Sequence, residues 1–106
     1  MQGADGRLLD SIREAVLAIE PSAQVVLYGS RARGDAAPDA DWDLLVLLDG
    51  PVDAARTSAV RRRVYEVEWE TGEVLSTIVR SLQEWQSATS KATPFHAHVE
   101  REGVRL

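Results

Sequence analysis

Apolar positions along the chain follow two periods, and their alternation lays out the elements. Over residues 7–19, Leu8, Leu9, Ile12, Val16 and Ile19 recur at helical spacing, and Pro21 closes the segment. Residues 25–28, Val-Val-Leu-Tyr, form a short apolar run that predicts a strand buried on both faces. Ser30 is placed to cap a short helix over 31–34 that ends at Gly34. A polar loop with Pro38 follows over 35–40, then a second apolar strand over 43–48 that runs into the turn Asp49-Gly50-Pro51. The longest predicted helix covers 53–71 and stops at Gly72. A third strand, rich in β-branched residues, is expected over 73–79. Ser81 and Glu84 form a capping-box pattern that starts another helix. A last short helix follows Pro94, and 104–106 adds a small terminal strand. This is the order of an α/β (α+β) layer structure of few strands, in one domain over 1–106.

Bulk properties narrow the field. A chain of 106 residues is long enough for one real core without disulfides or a structural metal. It has no cysteine, which excludes a disulfide framework and any thiolate metal site. The first residues show no basic segment followed by an apolar run, and the longest apolar runs are of strand length. A cytoplasmic protein without a membrane span is therefore expected. The net charge of −5 argues against a broad nucleic-acid footprint, which needs a basic face.

The chemistry concentrates between residues 25 and 48. One strand delivers Gly29 and Ser30 to a turn, and the next opens on Asp41 and Asp43. Residues i and i+2 of a strand point to one face, so the two carboxylates project together. Two hard oxygen ligands on one strand suit Mg²⁺, which is held by one or two carboxylates plus substrate phosphates. The glycine turn lets a backbone approach a ligand closely, and N–H groups with the Ser30 hydroxyl at a helix start seat phosphate oxygens. These features together predict nucleotidyl transfer.

The string Leu-Tyr-Gly-Ser-Arg-Ala-Arg-Gly-Asp, with Asp-Trp-Asp-Leu-Leu-Val beyond it, resembles the minimal nucleotidyltransferase (MNT) family of the DNA polymerase β-like superfamily. Gly29-Ser30 and Asp41-Trp42-Asp43 stand ten residues apart, the spacing of that signature. The resemblance implies a small mixed β-sheet flanked by helices. It further implies a Mg²⁺-dependent enzyme, with ATP the default donor. Asp41 and Asp43 become the catalytic metal ligands, with a two-metal site in which a second ion activates the acceptor hydroxyl. Gly29, Ser30, Arg31 and Arg33 become the nucleotide-binding residues, the guanidinium forks gripping phosphate. Many such proteins are encoded with an all-helical HEPN-domain partner, and some are antitoxins that transfer AMP onto the partner's tyrosine.

The chain departs from the superfamily pattern in one respect. A third carboxylate on a later strand is expected to face the first two, and the strand here offers Ser76, or else Thr77, at that place. Glu73, at the strand's edge, is the alternative ligand. This departure keeps two other readings open: a pseudoenzyme that binds nucleotide or partner and transfers nothing, and a homo-oligomeric interaction module using a sheet edge or helix face. Other conspicuous residues have plainer readings. Trp42 alternates away from the aspartates into the core, and Tyr28 is a core residue. Asp35 and Asp39 are solvated loop charges, and Arg61-Arg62-Arg63 is a solvated helix face pairing with Glu66. His96 and His98, two apart on a helix, do not face together and are not read as metal ligands.

Overall fold

The computed structural model describes residues 3–106. The first apolar stripe lies on α1 (Gly3–Leu17), which places Leu8, Leu9, Ile12 and Val16 in the core. Ile19 falls beyond the helix and is exposed. β1 (Gln24–Tyr28) leads through Gly29 into the single turn α2 (Ser30–Arg33), and β2 (Trp42–Leu48) follows the polar loop. α3 (Ala54–Thr71) starts on Asp53, whose side chain accepts the Arg56 N–H at 2.8 Å, and ends on Gly72. β3 (Leu75–Ser81) lies two residues later than its sequence pattern predicts. The ladder to β2 continues through Arg80 and Ser81, two polar residues that read as a strand end.

Ser81 both ends β3 and caps α4 (Leu82–Trp85). The helix expected here breaks after one turn because Ser87 accepts the Ser90 N–H and starts α5 (Ala88–Lys91). Thr93 and Pro94 then open α6 (Pro94–Glu102), and β4 (Val104–Arg105) closes the chain.

The four strands form one mixed sheet in the order β3-β2-β1-β4. β1 pairs antiparallel with β2 and β4, while β2 and β3 run parallel, joined through α3. One sheet face, with Val25, Leu27, Leu44, Val46 and Val79, packs on α1 and α3 to make the main core. The other, with Leu45 and Leu47, packs on Trp85 and Val99 from the α4–α6 side. β1 therefore alternates rather than burying both faces alike: Val25 and Leu27 are buried, Gln24, Val26 and Tyr28 half-buried. β2 is the strand buried on both sides, and it is the one that carries Asp43. Arg56 fixes the start of α3. It donates to both carboxylate oxygens of Glu20, at 3.0 and 2.7 Å, and to the carbonyls of Asp49 and Pro51. No helix among the described residues is long and apolar enough to cross a membrane.

Candidate active site

Antiparallel pairing brings the C-terminal end of β1 beside the N-terminal end of β2, and parallel pairing puts the start of β3 at that same end. The register sets Tyr28 against Asp43 and Asp43 against Ser76, so these three share one sheet face. Asp41 precedes β2 and is exposed, whereas Asp43 is half-buried on the strand. They are close enough to feel each other. Burial first, then the charge of Asp41, pushes the Asp43 carboxyl above its ordinary value, and Arg33 pulls the other way.

Gly29 forms the wall opposite. Its φ of 76° and ψ of −159° lie in a region that only glycine visits readily. A Cβ at this position would strike the Asp43 carboxylate. The glycine also starts the helix one residue earlier than expected. Gly29 is the cap, Ser30 is the first helical residue, and no side-chain capping bond forms. The Ser30 hydroxyl is thus not committed to the helix start.

The two arginines of the motif have separate surroundings. Arg33 ion-pairs with Asp35 at 3.2 Å and with Glu102 of α6 at 3.1 Å. Arg31 turns back on the loop: its Nη2 donates to the carbonyls of Pro38 and Ala40 at 3.0 and 2.9 Å, and its Cζ lies 4.4 Å over the Trp42 ring. Nothing in the sequence signals that contact, because it depends on how the loop folds back.

Trp42 lies in the main core, on the face away from Asp43. Glu73 is drawn to that face as well, its Oε2 accepting the Trp42 Nε1–H at 3.1 Å. Glu73 is therefore turned from the aspartates, and Ser76 is the β3 residue beside Asp43. Among the described residues, no group of three His, Cys, Asp or Glu gathers as a metal site. Tyr28 sits beside Asp43 with its hydroxyl pushed above the ordinary tyrosine range by burial, then by Asp43. Its ring packs edge-on against Phe95, 5.3 Å between centroids. His96 is buried and stacked on Trp85, while His98 is exposed and contacts Arg101. Arg63 pairs with Glu66 at 3.1 Å.

The nucleotidyltransferase domain family matches residues 9–99 of the chain, a span that includes the turn, both aspartates and Ser76. The chain belongs to this family. As a nucleotidyltransferase it has the mixed sheet and flanking helices that the sequence resemblance implies. Its fold is shared with a crystal structure of a mutant toxin–antitoxin pair, MntA–HpeT, at a TM-score of 0.55 and 12% identity, over 97% of this chain and 72% of that one. No curated protein matches this nucleotidyltransferase.

Proposed function

We propose that the chain transfers a nucleoside monophosphate, AMP from ATP, to an acceptor hydroxyl, with Mg²⁺ held by Asp41 and Asp43. The observation that carries this reading is the state of Asp43. Its carboxylate is half-buried, faces a second carboxylate and touches a glycine that leaves it room. A half-buried carboxylate whose ionisation is opposed by burial and by a nearby negative charge is stabilised by a divalent cation shared with the donor phosphates.

Mg²⁺ at that place supplies charge neutralisation on the phosphates. The chain's own groups do the rest. The Gly29 turn lets the backbone approach the triphosphate, and the Ser30 hydroxyl donates to a phosphate oxygen. Arg33 provides the guanidinium: it is itself exposed, paired with exposed Asp35 and half-buried Glu102. Arg31 acts on the nucleotide indirectly, by holding the loop that leads to Asp41. The acceptor oxygen forms a bond to the α-phosphorus as the bond to pyrophosphate breaks, and the hydroxyl proton is released to solvent. We take the acceptor to be a separate macromolecule, since the described residues present little surface with which to enclose one. A tyrosine of a HEPN-type toxin fits that requirement, and the toxin–antitoxin origin of the structural neighbour supports it.

Ser76 at the third-ligand position favours a second reading, a nucleotide-binding pseudoenzyme. Calorimetric titration of ATP with Mg²⁺ and then with EDTA tests the site. Binding is expected only with Mg²⁺, and Asp41→Asn with Asp43→Asn should abolish it. Unchanged binding in that double variant defeats the metal assignment. Pyrophosphate release in the presence of a HEPN-domain protein separates the enzyme from the pseudoenzyme, which binds ATP and releases none.

A further inference from the structure

The outer surface of α3 is unlike the rest of the molecule. Trp69 is 75% exposed and Tyr65 is 56% exposed, and their rings meet edge-on at 6.1 Å. They lie four residues apart and so share a helix face. Arg62 continues that face toward the helix start, because residues 62, 65 and 69 follow the 3–4 spacing of a helix-pairing seam. Beside them, a groove of about 490 Å³ runs between α3 and β3, with Arg61 and Tyr65 on its α3 side and Leu75 and Thr77 on its β3 side.

The edge strand next to this face is partly protected against strand pairing. Glu68 accepts the Leu75 N–H at 3.1 Å, and Arg80 donates to the Val79 carbonyl at 2.9 Å. What the face offers a partner is aromatic and charged side chains rather than a sheet edge.

The charges select the partner. On the exposed side of α3, Arg61 and Arg62 lie at mid-helix just before Tyr65, and Glu66 and Glu70 follow it, Glu66 also pairing with Arg63 at 3.1 Å. A helix face that is basic just before its central tyrosine and acidic after it complements itself when two copies run antiparallel. A two-fold axis near Tyr65 then sets each basic segment against the other copy's acidic segment, with both aromatic pairs at the centre. We propose that the chain forms a symmetric dimer through α3, with Tyr65 and Trp69 as its anchors. Exposed Trp and Tyr at the centre of a patch ringed by charge is the composition of an interface core.

Sedimentation or light scattering at tens of micromolar tests this. The wild type should show twice the 11.7 kDa chain mass. Trp69→Ala should weaken association by at least about tenfold. Arg61→Glu with Arg62→Glu makes the segment before Tyr65 acidic, and Glu66→Arg with Glu70→Arg makes the segment after it basic. Each double variant alone should be monomeric, and an equimolar mixture should restore the dimer. All four positions are exposed, so circular dichroism should stay that of the wild type. A monomeric wild type overturns the proposal and leaves the face to a different protein. A dimer that survives Trp69→Ala and both charge reversals overturns it in favour of another surface.

Discussion

Gly29 offers the sharpest test of how backbone geometry and carboxylate placement are joined. Gly29→Ala does two things at once. It puts an L-residue at φ 76°, ψ −159°, where the strain is about 1–3 kcal/mol. It also drives a methyl group into the Asp43 carboxylate, which must swing away. The strain alone predicts a thermal midpoint lowered by roughly 4–20 °C. The displaced carboxylate predicts a separate loss, at least about tenfold in Mg²⁺-ATP affinity, or about 1.4 kcal/mol. Gly34→Ala is the matched control. Gly34 also has a positive φ, 83°, but nothing lies within 4 Å of a Cβ built there. That variant should lose about 1–2 kcal/mol of stability and keep its ATP affinity. Thermal unfolding and calorimetry, both in Mg²⁺ at a temperature where each variant is folded, separate the two effects. Gly29→Ala binding Mg²⁺-ATP within about twofold of wild type would refute the link between this turn and Asp43.

Three further outcomes follow from the same geometry. Ser76→Asp places a third carboxylate one strand spacing, about 4.8 Å, from Asp43, and should raise Mg²⁺ affinity about tenfold by calorimetry while lowering the metal-free midpoint. Unchanged affinity would mean that position 76 does not face the metal. The Asp43 carboxyl titrates above 3.8, so the folded state holds that proton more tightly than the unfolded chain does. Its ionised form therefore costs stability above the folded-state value, and this cost disappears below 3.8. Asp43→Asn should raise the metal-free midpoint at pH 7 and remove the Mg²⁺-ATP stabilisation expected of wild type; a lower midpoint contradicts the sign. Arg56→Ala removes the fork on Glu20 and two loop carbonyl bonds. It should cost about 1–3 kcal/mol in chemical denaturation with ATP binding unchanged, and a loss under a few tenths would show the fork to be solvent-weakened.

The elements legible from sequence were those fixed by local chemistry. The Gly72 stop ends α3 where the sequence places it, with Asp53 as its cap rather than its first residue, and the apolar run of β2 has no rival reading. Alternation along β2 was enough to send Trp42 and Asp43 to opposite faces, and Ser76 stands beside Asp43 as the strand pattern implies. What was not legible depended on contacts between distant segments. The start of β3 is set by where β2 pairs with it, not by its β-branched run. Glu73 looked available because it flanks the site in sequence. The Trp42 indole, 31 residues away, claims it on the other face. Arg31 belongs to a signature that implies phosphate contact, yet its guanidinium is engaged by Trp42 and by carbonyls of a loop with no regular pattern. The break between α4 and α5 rests on one serine hydroxyl, a cap signal too common in polar sequence to stand out.

The Arg31 contact has a consequence for when order is established. Chain between two fixed points loses conformational freedom in proportion to how much of it is untethered. By reaching across to Pro38 and Ala40, Arg31 ties down the second half of the ten-residue connection, and the face of Trp42 holds the tie in register with β2. The entropy of fixing the approach to Asp41 is thus lost as the domain folds, before any ligand arrives. On the proposed function, a triphosphate would meet an approach to Asp41 whose backbone is already ordered, and its binding energy would not be consumed in ordering it.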